Sequence, residues 1–98
     1  MALTFYTDYI NHCLRFYARY PEPVFKSKTD ELNWKACDKA LKEFSDEERI
    51  MILTVYKEYD TLADNVYQLS QEKDISQDVI WTLIHKMAKK VAKNRGLI

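Results

Sequence analysis

The sequence predicts an all-α protein, a compact orthogonal bundle of about five helices, and three observations carry that expectation. One Gly and two Pro leave almost none of the turn chemistry that β-hairpins need. Apolar residues recur at three- and four-residue spacing along most of the chain. Ser, Thr and Asp stand in front of the apolar stretches, where helix caps belong. At 98 residues the chain has the size of one domain. We therefore read 1–98 as a single unit, with N-terminal helices in 1–44 and a three-helix part in 45–98.

A first helix is expected from Leu3 to Tyr20. Leu3, Tyr6, Ile10, Cys13, Leu14 and Tyr17 form one stripe, and Phe5, Tyr9, Phe16 and Tyr20 a second beside it. Only Asp8, Asn11, Arg15 and Arg19 mark a wet face, so the helix calls for cover on two sides. Pro21 and Pro23 end it, since proline cannot continue a helix and restricts the residue before it. The second helix is expected to start at Thr29 as cap, with Asp30 and Glu31 complementing the helix dipole. Trp34, Cys37, Ala40, Leu41 and Phe44 supply its apolar stripe.

Ser45 followed by Glu48 is a capping box that opens a third helix, with Ile52, Val55, Tyr56 and Tyr59 facing inward. Asp60 is the expected cap of a fourth, carrying Leu62, Ala63, Val66 and Leu69. Ser76 caps the fifth, which runs to about Asn94 and stops at Gly96 in a left-handed conformation. The short connections require successive helices to pack as neighbours.

Fifteen basic and fifteen acidic side chains cancel, but they are unevenly spread. Residues 1–42 net +2, residues 43–78 net −7 and residues 79–98 net +5. An acidic middle thus precedes a basic end. Cys13 and Cys37 lack CxxC spacing and lie on apolar faces, which suggests buried reduced thiols and a cytoplasmic setting. No stretch has the length and apolarity of a membrane span or the layout of a signal peptide. His12 and His85 have no ligand partner at zinc spacing, so neither a metal nor another cofactor is expected. With no nucleophile motif and no glycine-rich phosphate loop either, the expectation is a protein that is not an enzyme.

The fifth helix carries the most informative chemistry. Val79, Ile80, Leu83, Ile84, Met87, Ala88 and Val91 cover one arc of its wheel, with Trp81 at the rim. Asp78, Thr82, His85, Lys86, Lys89 and Lys93 cover the other. A basic outer face over an apolar inner one suits a helix in the major groove, lysines on phosphate and its N-terminal half at base edges.

The stretches FSDEERIMILTVY, LADNVYQLSQEKDIS and QDVIWTLIHKMAKKVAKNRGL resemble region four of the bacterial sigma factors and related phage transcription regulators. Ile75 and Ser76 match the start of that family's second helix-turn-helix unit. Ile80, Ile84, Met87 and Val91 fall at its inward positions, and His85-Lys86 where a basic pair is common. Where the family favours small residues this chain has Ser70 and Lys73-Asp74, of which Asp74 is able to adopt a left-handed turn. Asp78 faces phosphate unfavourably but is suited to accept from cytosine.

The resemblance implies a small DNA-binding transcription regulator with a helix-turn-helix at roughly 60 to 95. Lys86, Lys89, Lys90, Lys93 and Arg95 would meet phosphate, and Gln77, Thr82 and His85 would lie nearest base edges. Two other readings stay open. The lysines are also explained by solubility and by the helix dipole. The second stripe of Phe5, Tyr9, Phe16 and Tyr20 also suits a protein interface, so an interaction module or homodimer is the alternative function.

Overall fold

The computed structural model describes residues 7–98, which form five helices and no strand. They are α1 (Thr7–Arg19), α2 (Lys28–Leu41), α3 (Asp46–Lys57), α4 (Leu62–Lys73) and α5 (Gln77–Asn94). The all-helical bundle is therefore as expected. α1 packs on α2, α3 and α5, while α3, α4 and α5 each pack on the other two.

Local chemistry fixes most of the boundaries. Ser45 accepts from the Glu48 amide at 3.2 Å and the Glu48 carboxylate accepts from the Ser45 amide at 2.9 Å, the expected capping box. Those hydrogen bonds to Ser45 hold the Glu48 carboxyl below its ordinary pKa. Ser76 caps α5 as anticipated, accepting from the Asp78 amide at 3.1 Å.

Two starts differ from expectation. α2 is capped by Ser27, which accepts from the Asp30 amide, so Thr29 lies inside the first turn. α4 is capped by Thr61, which accepts from the Asp64 amide at 3.2 Å, and Asp60 lies in the preceding turn. In both cases two cap-competent residues stand close together, and the one three residues before an available amide takes the role.

α4 and α5 end on left-handed residues. Asp74 has φ 54°, ψ 50°, and the Ile75 amide beyond it bonds Ser70 O at 3.1 Å. Gly96 has φ 74°, with Gly96 N donating to Lys93 O and Leu97 N to Ala92 O. That pair of bonds satisfies carbonyls a helix end otherwise leaves exposed.

The core joins Ile10, Leu14, Cys37, Ile52, Val55, Tyr56, Val66, Ile80, Ile84, Met87 and Val91, all but removed from solvent. Ala36, Met51 and Ala92 are also buried, although the expected stripes did not include them. Tyr56 donates to Asn11 Oδ1 at 3.1 Å, and Tyr17 to Asp38 Oδ1 at 2.8 Å, so neither hydroxyl is stranded. Burial pushes the Tyr17 and Tyr56 phenols and the Cys13 and Cys37 thiols above their ordinary values. Both thiols are free. Phe25 and Tyr17 pack their rings against Trp34, whose Nε1 donates to Tyr20 O, which ties the proline-bearing loop to α2.

Three apolar assignments are corrected. Tyr59 is 83% exposed, because α3 stops at Lys57 and the turn carries the ring outward, where Arg19 lies 4.1 Å over it. Ala63, in the first turn of α4, is exposed. Val79 is 53% exposed, because a wheel position in the first turn of a helix has no guarantee of a neighbour. α1 is covered by α2, α3 and α5, as its two stripes call for, but the second stripe is only partly buried: Tyr9 and Tyr20 remain exposed, and Phe16 is half-buried against Tyr20. Leu3, Phe5 and Tyr6 lie outside the described residues.

Candidate nucleic-acid interface

Asn65 sits in α4 only 4% exposed, its amide group 2.8 to 3.3 Å from the carbonyls of Val55, Glu58 and Asp60. Arg15 reaches the carbonyls of Glu58 and Asp60 from α1, both at 2.9 Å, and Arg19 those of Lys57 and Glu58. Three side chains thus satisfy the carbonyls that end α3 and shape the α3–α4 turn. Among the described residues the next turn has no such clamp and relies on left-handed Asp74. Together the two corners set α4 against α3 and present the start of α5.

On α5 the inner arc is packed as expected at Ile80, Leu83, Ile84, Met87 and Val91, with Ala88 and Trp81 at the edge. The outer arc is exposed at Asp78, Thr82, His85, Lys86, Lys89 and Lys93. Its C-terminal half is tied to α2: Asn94 donates to Ala36 O at 3.1 Å, and Arg95 Nε to Asn33 Oδ1 at 2.6 Å. Its N-terminal half leaves a cavity of about 400 Å³ against α3, lined by Glu48, Met51, Val79, Thr82, Leu83 and Lys86 among others.

The structure divides the five expected phosphate ligands. Lys86, Lys89 and Lys93 are exposed and form no ion pair among the described residues. Lys90 turns towards α2, pairing with Glu43 at 3.1 Å above the Phe44 ring, and Arg95 is committed to Asn33. Of the three expected base readers, Thr82 and His85 lie on the lysine face, with the His85 ring 5.7 Å from that of Trp81. Gln77 is exposed in the first turn but stands about 140° round the axis from Thr82 at 3.6 residues per turn, so it is not part of that face.

Sequence reasoning missed the exposed Val79 and the Asn65 clamp. An asparagine adjoining Val66 within the apolar spacing of α4 was the available signal for the clamp. Acidic groups also gather away from this face: Glu58, Asp60 and Glu72, with Thr54 and Gln68, line a second cavity of about 260 Å³ by the α3–α4 turn. No group of three His, Cys, Asp or Glu among the described residues is placed to hold a metal ion. None of the described helices is long and apolar enough to cross a membrane. No family model, curated protein or solved structure matches the chain.

Proposed function

We propose that the protein is a small, non-enzymatic DNA-binding regulator of transcription, working in the cytoplasm through the outer face of α5. The observation that carries this reading is the row of Lys86, Lys89 and Lys93 on one exposed helix face, with no acid paired to any of them among the described residues. Thr82 and His85 continue that face toward the helix start. The three-helix arrangement of α3, α4 and α5 and the open N-terminal half of α5 suit insertion into a major groove.

Phosphate binding by three lysines releases counterions, so the affinity for duplex DNA should fall with salt. At about 0.9 per phosphate neutralised, the slope of log affinity on log salt is about −2.7. Titrating a labelled duplex over a salt series measures it. A salt-independent affinity, or no binding at low salt, overturns the reading.

A second reading has support of its own in the exposed tyrosines of α1 and the loop after it, Tyr9 and Tyr20. As part of a protein-interaction surface they would pair the chain with a partner or a second copy. Molecular mass in solution separates the homodimer form of this reading from a monomeric DNA binder.

A further inference from the structure

We propose that the N-terminal end of the α5 face reads thymine, with Val79 and Thr82 packing against its C5-methyl group in the major groove. The inference rests on the DNA-binding reading above and names the base that this surface recognises.

Val79, Thr82, Lys86, Lys89 and Lys93 follow one another at intervals of three and four residues, which places them in a single stripe along α5. The stripe is polarised. Its C-terminal end is wholly cationic, and its N-terminal end is an exposed valine followed by a hydroxyl-bearing residue with a methyl group. At 1.5 Å rise per residue it spans about 21 Å from Val79 to Lys93.

Val79 is the unexpected member. It is an apolar side chain 53% exposed at the mouth of the cavity walled by Met51 and Leu83, and nothing among the described residues buries it. Asp78 and Glu48 outnumber Lys86 in the lining of the same cavity, so this end disfavours phosphate, while Lys89 and Lys93 farther along attract it. A duplex lying along the stripe therefore presents backbone to the lysines and a base edge to Val79. The thymine methyl is the apolar group that the major groove displays, and it is the contact that Val and the Thr methyl are suited to make.

The test uses a duplex that the wild-type protein selects from a random pool, remade with deoxyuridine in place of thymidine, which removes only the methyl groups. The wild type is expected to bind the uracil duplex more weakly, by about fourfold for each contacted methyl. Val79→Ala should lower the ratio of the two affinities, and Val79→Ala with Thr82→Ser, which removes both methyl-bearing contacts, should bring it close to one. Both positions are exposed and alanine is the better helix former at the first, so the fold should be kept, which a melting curve checks.

Equal wild-type binding to both duplexes, with affinity still falling steeply with salt, overturns the thymine assignment and leaves the DNA-binding reading standing. Failure to bind any duplex at low salt overturns both. A Val79→Ala change in molecular mass in solution, with the thymine-to-uracil ratio unaltered, would mean that the cavity seats a protein chain, and it too overturns the inference.

Discussion

Arg15, Arg19 and Arg49 each reach backbone carbonyls at the end of a helix other than their own, whereas Lys86, Lys89 and Lys93 form no ion pair among the described residues, Lys86 only facing Glu48 across a cavity. Arg49 closes α2 by donating to the carbonyls of Leu41 and Lys42, as Arg15 and Arg19 close α3. A planar guanidinium with five donors suits clustered carbonyls, and a compact ammonium on a flexible stem suits a scattered anion. Other N-terminal lysines are also engaged: Lys28 and Lys35 with Glu31, and Lys42 with Asp38. Most positive charge in the first half of the chain is thus engaged within the fold, whereas on α5 only Lys90 is, and Lys86, Lys89 and Lys93 form no ion pair among the described residues.

Raising the pH should have the largest effect, and it acts on groups buried within the fold rather than on the α5 face. Tyr17, Tyr56, Cys13 and Cys37 have folded pKa values above their ordinary ones, chiefly through burial. The unfolded groups lose their protons first, from 9.0 for thiols and 10.0 for phenols. Their contribution to stability is thus intact below pH 9 and is lost as pH climbs through 10 toward the folded values. Helical circular dichroism should collapse in this alkaline range, with a shallower loss in Tyr17→Phe; an unchanged slope in that variant would contradict the assignment.

Removing the carbonyl clamp comes next. The double replacement Arg15→Ala with Arg19→Ala should cost about 2 kcal/mol, reduced from the usual value of charged hydrogen bonds because these are exposed. A Tm lower by about 10 °C would register it. A smaller gain is expected at the unclamped corner. Asp74→Gly relieves a left-handed side-chain residue and should stabilise by about 1 kcal/mol, read from a denaturant midpoint at constant m. The smallest effect belongs to α5: Lys86→Glu, Lys89→Glu and Lys93→Glu together should leave stability within about 0.5 kcal/mol per substitution. A large loss would show that these lysines serve the fold after all.

The same contrast explains what the amino-acid order made legible. Ser45, Ser76, Asp74 and Gly96 act on backbone groups within a few residues, so their roles are written locally. Ser27 over Thr29 and Thr61 over Asp60 show where local signals compete. The Arg15 and Arg19 clamp joins residues about forty positions apart, a separation no spacing rule reaches. The lysine face was readable from its period. The diversion of Lys90 to Glu43 and of Arg95 to Asn33 was not, since both partners come from α2 or the turn that follows it. Val79 was misplaced because a wheel assumes that every apolar position meets a neighbour, and the first turn of α5 overlooks a cavity instead.

Binding of the Lys86→Glu, Lys89→Glu, Lys93→Glu variant to duplex DNA at low salt decides whether the α5 lysines hold DNA, with its melting curve recorded alongside. The expected result is a folded protein that no longer binds DNA. A folded variant that binds as tightly as the wild type would contradict it.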